Sequence, residues 1–212
     1  MNLSNFKRVI VLAPHTDDGE FGCGATISKL IESGSEVYYV AFSACEQSVL
    51  PQFPKDILIS EVKSATQKID IKPSNLILHN YEVRTFNFRR QEILEDLIRL
   101  RSQIKPDLIF MPALGDVHQD HSTIAQEGLR AFKFSNILTY EVPWNNLSFN
   151  TTCFSVVTED HIQKKVNALN EYKSQVHRSY ANEEFIRSLA RVRGVQVNEK
   201  YAEVFDVLRF IF

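Results

Sequence analysis

Short apolar runs alternate with amphipathic stretches along this chain. Val9–Ala13 is apolar throughout, as in a strand covered on both faces, and predicts a strand over Arg8–Ala13. A helix follows over Phe21–Glu32, stopped at Ser33-Gly34, and Glu36–Phe42 reads as a second strand. In Asp56–Ile69 the apolar positions Ile57, Leu58, Val62, Ala65 and Ile69 form one helical stripe. Asn75–Asn80 is a third strand. Gln91–Ile104 is a helix with Ile93, Leu94, Leu97, Ile98 and Leu100 inward, ended by Pro106. Asp107–Pro112 is another buried strand, and the helix after it runs to about Phe132. Strands over Ile137–Val142 and Cys153–Val157, helices over Glu159–Val176 and Glu183–Arg193, and a last strand over Tyr201–Ile211 complete the pattern. That last strand has Ala202, Val204, Val207, Phe210 and Phe212 apolar. The alternation predicts an α/β fold with a mostly parallel sheet. With no internal repeat, low-complexity tract or linker, the chain reads as one domain over residues 1–212.

Composition narrows this picture without redirecting it. The 212 residues are 44% hydrophobic and 24% charged, enough apolar content for a large core. A net charge of -2 gives no reason to expect nucleic acid as a partner. The start, Met1-Asn2-Leu3-Ser4-Asn5, lacks a basic segment followed by an apolar one, so no secretory leader is expected. The apolar runs are too short to span a membrane. Cys23, Cys45 and Cys153 are widely spaced and odd in number, which fits reduced thiols and a cytoplasmic protein.

The chemistry gathers in two polar clusters, each placed directly after an apolar strand. His15, Asp17 and Asp18 follow the first strand, and His118, Asp120 and His121 follow the strand that ends at Pro112. Both therefore fall at the carboxyl edge of the sheet, where ligands bind in open α/β folds. Gly22 and Gly24 after the first cluster indicate close backbone packing at the start of the helix. Either histidine of the second cluster, taken alone, is an ordinary residue of a helix start. Two clusters at matched positions instead suit a divalent metal, with His15, Asp18 and His121 as a two-histidine, one-carboxylate set. That set suits zinc, and equally Fe(II) or another divalent ion. Asp17, pointing elsewhere, is placed to accept a proton from water on the metal. His118 is placed to steady an oxyanion or protonate a leaving amine, with Asp120 orienting it. No G-x-G-x-x-G follows the first strand, so a dinucleotide fold is not indicated.

Pro14-His15-Thr16-Asp17-Asp18-Gly19-Glu20-Phe21-Gly22-Cys23-Gly24-Ala25-Thr26 and His118-Gln119-Asp120-His121 resemble the two motifs of the PIG-L/LmbE-type zinc-dependent N-deacetylases. Thr16, Ala25 and Gln119 depart from the usual residues at positions that carry no chemistry. Lys173-Ser174-Gln175 and Tyr201-Ala202-Glu203-Val204-Phe205 are similar to the family's C-terminal half. The resemblance implies a Rossmann-like three-layer α/β/α sandwich. It also implies removal of an acyl group, normally acetyl, from the nitrogen of an N-acetylglucosamine-type sugar or conjugate. His15, Asp18 and His121 would hold zinc, Asp17 would be the base, and His118, supported by Asp120, its partner. A metal-dependent hydrolase of a non-sugar N-acyl compound is the alternative. Members acting on glucosaminyl-malate or glucosaminyl-inositol carry a Thr-Arg-Gly-Glu-like stretch after the second strand. Here Phe42-Ser43-Ala44-Cys45-Glu46-Gln47 has no arginine, which argues against those substrates. Arg84 and Arg90, from the polar-aromatic loop Tyr81–Arg90, are the candidates for binding a phosphorylated or nucleotide-linked sugar. Nothing in the sequence opposes a homo-oligomer.

Overall fold

A computed structural model describes residues 6–211 of the chain. Met1–Asn5, on which the expectation of no leader rests, and Phe212 lie outside the described residues. The elements run β1 (Arg8–Ala13), α1 (Asp18–Glu32), β2 (Glu36–Ala41), α2 (Ile57–Lys68), β3 (Leu76–Leu78), α3 (Arg90–Ile104), β4 (Leu108–Pro112), α4 (Gln119–Ala131), β5 (Asn136–Tyr140), β6 (Cys153–Val156), α5 (Glu159–Leu169), α6 (Glu183–Val195) and β7 (Ala202–Arg209).

Seven strands form one sheet in the order β3-β2-β1-β4-β5-β7-β6. The first five are parallel, and β7 runs antiparallel between β5 and β6. Successive side chains of a strand face opposite ways. Val9 and Val11 therefore join the core on the face covered by α1, α2 and α5. Ile10 and Leu12 join the core on the face covered by α3 and α4. This is the three-layer α/β/α sandwich. The chain steps from β1 outward to β2 and β3, then returns to start β4 on the other side of β1. The strand order thus reverses between β1 and β4, and the loops leaving these two strands open the crevice where such sheets bind ligands.

Two elements differ from the hydrophobic pattern in ways that matter for the site. Helix α1 starts at Asp18, three residues before the apolar stripe, and is kinked at Cys23 (φ -149°, ψ 22°). Around the kink, Lys165 Nζ donates to the Phe21 carbonyl at 2.6 Å, and the Ala25 and Thr26 N–H groups donate to the Glu203 carboxylate at 3.2 and 2.7 Å. In an unbroken helix the Phe21 carbonyl and the Ala25 N–H would serve each other. Here a buried Lys165–Glu203 ion pair, 2.7 Å apart, serves both. Gly22 sits on the Tyr140 ring, where a Cβ would come within 2.3 Å of a ring carbon, so only glycine fits.

Helix α5 ends at Leu169 and not at Val176. Its apolar spacing continues to Tyr172, but the Tyr172 side chain turns in to donate its hydroxyl to the Thr16 carbonyl at 2.7 Å. A short 3-10 turn, Lys173–Gln175, follows, held by Ser174 donating through N and Oγ to the buried Glu61 carboxylate at 2.9 and 2.6 Å. Tertiary hydrogen bonds override helical periodicity here, and the chain is led across the mouth of the crevice. Among the described residues no helix is long and apolar enough to cross a membrane.

Candidate metal and catalytic centre

The turn from β1 into α1 carries His15 and Asp17, with Asp18 the first residue of α1; the loop from β4 to α4 carries Asp116 and His118, with Asp120 and His121 in the first turn of α4. The register Val9↔Leu108, Ile10↔Ile109, Val11↔Phe110 sets the two strands side by side, so their loops meet.

Protons on the two central histidines are assigned by their outer partners. His15 Nε2 lies 3.0 Å from Asp120 Oδ2, and His121 Nδ1 lies 2.8 Å from Asp116 Oδ2. A carboxylate only accepts, so these two nitrogens carry the protons. The lone pairs of His15 Nδ1 and His121 Nε2 then face inward, 3.2 Å from each other. Each is 3.1 Å from Asp18 Oδ2. Asp18 is fixed in turn by the His15 backbone N–H, which donates to Oδ2 at 2.7 Å. Three acceptor atoms thus form a nearly equilateral triangle with sides of 3.1–3.2 Å. A tetrahedral ion with ligands at 2.0–2.2 Å has donor atoms about 3.3–3.6 Å apart, so the triangle matches one face of such a site within a few tenths of an ångström. Two imidazoles and one carboxylate are also the donor types that zinc and Fe(II) take. The chemistry and spacing of the residues fit a divalent ion.

Charge supports the same reading. Burial opposes a proton on His121, yet Asp18 and Asp116 outweigh it and carry its pKa up to about 10. Burial also opposes ionisation of Asp18, but His121 and His15 hold its carboxyl well below the usual range. Positive charge is wanted inside the triangle, as a proton or as a cation.

His118 stands beside the triangle. Its ring nitrogen lies with those of His15 and His121 inside a 4.8 Å group, and its ring centroid is 4.8 Å from each of theirs. The Asp120 backbone N–H donates to His118 Nδ1 at 3.2 Å, so the neutral ring carries its proton on Nε2. Burial, then the neighbouring His15 and His121, lower its pKa to about 4. His118 is therefore neutral at ordinary pH and offers an N–H donor. Asp18, at 3.1 Å from both other histidines, fits the triangle more tightly than His118 does.

The spacing predicts that the Asp120 carboxylate orients His118, but the structure turns it elsewhere. It reaches across to His15 and also accepts from the Arg84 N–H at 2.6 Å and the Phe86 N–H at 3.3 Å. The hydrogen bond from Asp120 to His118 is made by the backbone N–H. At the start of α4 the side chain of Asp120 points away from His118 and toward the loop after β3. Asp116, which lies outside the two clusters read from the sequence, does for His121 what Asp120 does for His15. Its other oxygen accepts from the His118 N–H at 2.8 Å.

A cleft of about 270 Å³ opens over the triangle, with Asp17, His118, Arg84 and Arg178 in its walls. Burial, then the charge of Asp18, raise the Asp17 carboxyl to about 6, against the pull of Arg178 and His15. Arg84 lines the cleft, as expected; its backbone is left-handed (φ 70°) and its guanidinium donates to Ser48 Oγ at 3.2 Å. Arg90 does not reach it. Its guanidinium is held by the fully buried carboxylate of Glu127 on α4, at 2.5 and 2.7 Å, because a buried charge demands a partner. Arg178, Gln175 and Tyr180 reach the cleft from the segment after α5, and the helix expected to continue through Val176 had hidden them.

Residues 10–132 match the PIG-L family, described as GlcNAc-PI de-N-acetylase. That is more than half of the chain. It belongs to the PIG-L family. Over 177 residues it is 27% identical to an Escherichia coli K12 protein described as an uncharacterized deacetylase, covering 79% of this chain and 91% of that one. Its fold is similar to the N,N'-diacetylchitobiose deacetylase of Pyrococcus horikoshii, with a TM-score of 0.76, 20% identity, and coverage of 98% of this chain and 85% of that one. It is similar to the same degree, TM-score 0.76 at 16% identity over 97% and 98% of the two chains, to GalB of Pseudomonas putida KT2440, a 4-carboxy-2-hydroxymuconate hydratase. These likenesses establish the fold, and the fold by itself does not choose between deacetylation and hydration.

Proposed function

We propose that this PIG-L family member is a metal-dependent N-deacetylase that hydrolyses the acetamide of an N-acetylglucosamine-type sugar or conjugate. The observation that carries the reading is the triangle of inward-facing acceptors on His15, Asp18 and His121, with a raised carboxylate and a neutral imidazole beside it. Membership of a family described by a de-N-acetylase supports the reaction and the sugar.

His15 Nδ1, Asp18 Oδ2 and His121 Nε2 would hold the ion, zinc or another divalent metal. Bound there, it supplies a Lewis acid for an amide carbonyl and makes water easier to deprotonate. Asp17 takes a proton from the attacking water onto its carboxylate. A base with a pKa of about 6 is ionised at neutral pH yet basic enough to accept. His118 donates a hydrogen bond from Nε2–H to the oxygen on which negative charge develops. Asp17, now protonated, is the group in the cleft that returns a proton to the leaving nitrogen. Asp116 and Asp120 hold the two ligand imidazoles in the tautomers that present their lone pairs. Three unpaired cysteines support a cytoplasmic setting.

The test is release of acetate from a panel of N-acetylated sugars, sugar phosphates and sugar nucleotides, with elemental analysis of the purified chain. Acetate release that tracks metal content is the expected result. A metal-replete protein that releases acetate from none of them overturns the reading.

A further inference from the structure

We propose that the substrate carries a phosphoryl group and that Arg84 and Arg178 clamp it over the cleft. This rests on the deacetylase reading for the sugar, but the argument for the clamp is independent of it. Arg84 enters from the loop after β3 and Arg178 from the segment after α5, and both line the same cleft. Neither makes an ion pair among the described residues. Arg84 bonds Ser48 Oγ, and Arg178 bonds Gln175 Oε1 at 2.6 Å and Tyr180 Oη at 2.7 Å. These hydrogen-bond partners are neutral, and the charge that Arg178 does meet is that of Asp17, whose carboxyl it pulls down without forming an ion pair. Arg90, by contrast, is fully engaged by a carboxylate and lies outside the cleft.

Both positions are held firmly for exposed arginines. The Arg178 guanidinium lies 5.8 Å from the centre of the Tyr180 ring, which itself stacks on Trp144 at 3.7 Å and meets the edge of Phe21. Gln175 is tied to Ser174, and Ser174 to the buried carboxylate of Glu61. Arg84 occupies a left-handed backbone conformation that a long side chain seldom adopts, and the Asp120 carboxylate keeps its N–H in place. Ordering an arginine costs conformational entropy, and leaving its charge unpaired forgoes an ion pair. Two such residues facing one cleft are arranged for a ligand that supplies the negative charge. The acidic side chains lining this cleft are Asp17 and Asp18, both occupied by the proposed chemistry. Guanidiniums bind tetrahedral oxyanions through paired N–H groups, so a phosphoryl group fits the donors.

The experiment is calorimetric binding of glucosamine, glucosamine 1-phosphate and glucosamine 6-phosphate to the full-length protein as purified. These compounds lack the acetyl group and are not turned over. We expect one of the phosphates to bind at least tenfold more tightly than glucosamine, with the gap closing as salt is raised. R84Q and R178Q should each remove most of that gap, and R178K should restore part of it. Equal affinity for glucosamine and both phosphates in the unmodified protein overturns the proposal, and this arm needs no variant to fold. A phosphate preference that survives in both R84Q and R178Q overturns it as well, since the anion then sits elsewhere. The two readings fail separately. Phosphate preference without acetate release from any sugar would remove the deacetylase and leave the clamp. Acetate release from the neutral sugar without phosphate preference would do the reverse.

Discussion

The carboxylate of Asp120 meets the imidazole of His15 at 3.0 Å although the two residues are 105 positions apart. The same carboxylate takes the backbone N–H of Arg84 and of Phe86. One side chain therefore holds a histidine of the proposed metal triangle and the loop that forms a wall of the cleft. Asp120→Asn should consequently do two things. Metal affinity should fall about 10–100-fold, the usual worth of such an outer partner. KM should rise as well, because the loop loses an anchor. Asp116→Asn should show the first effect through His121. Metal affinity by competition with a chromogenic chelator measures the first effect for both. Unaltered affinity in both variants would refute the assignment of the outer shell.

Removing any corner of the triangle leaves too few ligands to retain an ion. His15→Ala, Asp18→Ala and His121→Ala should each purify with little metal where the parent protein carries about one ion per chain. Binding should also release protons. His121, with a pKa carried up to about 10, holds a proton at neutral pH that a ligand must give up. Metal affinity should thus rise with pH through the neutral range. Calorimetry in buffers of different ionisation enthalpy counts the protons; an uptake of protons would contradict this geometry.

Asp17 and Asp18 are adjacent but have opposite fates. Asp18 is held ionised by two histidines, while burial and its neighbour's charge raise Asp17 to about 6. A base must be deprotonated to act, so activity should fall as pH drops through that value. A nearby divalent cation favours the carboxylate and moves the fall to lower pH. Asp17→Asn should keep its metal and lose roughly a hundredfold or more in kcat, and the acidic limb should go with it. Full activity with an unchanged pH profile would remove Asp17 from the chemistry.

The Lys165–Glu203 pair offers a test of stability apart from the site. Both side chains are almost fully buried, and they are tied to the kink in α1. Lys165→Met alone strands the Glu203 charge and should cost about 3–5 kcal/mol. The double change Lys165→Met with Glu203→Gln should cost less than the sum of the two single changes, because no unpaired charge remains. Denaturant unfolding measures both.

What could be read from residues alone followed from position. His15 and Asp18 follow the apolar β1, and His121 opens the helix that follows the apolar β4; strand ends in such a sheet converge on one edge whatever the details of packing. The sandwich itself was legible for the same reason. Side-chain direction was not. Nothing in the spacing of His118, Asp120 and His121 shows that the carboxylate of Asp120 turns toward β1, or that Arg90 at the start of α3 faces Glu127. Asp116 lies on an irregular loop with no period to place it. Arg178 was hidden because Leu169, Tyr172 and Val176 keep a helical spacing while hydrogen bonds to Thr16 and Glu61 pull the chain out of the helix.

The kink in α1 has a consequence for the order of events during synthesis. The N–H of Ala25 depends on Glu203, 178 positions further along the chain. The half of α1 that carries Asp18 is thus angled by a strand that is synthesised long after it. A chain arrested before Ala202 has His15, Asp18 and His121 but lacks the brace at the kink of the helix that carries Asp18. Such ribosome-bound chains should hold the ion less tightly than chains in which Ala202–Arg209 has also left the ribosome. Among the described elements, the first helix is completed by the last strand.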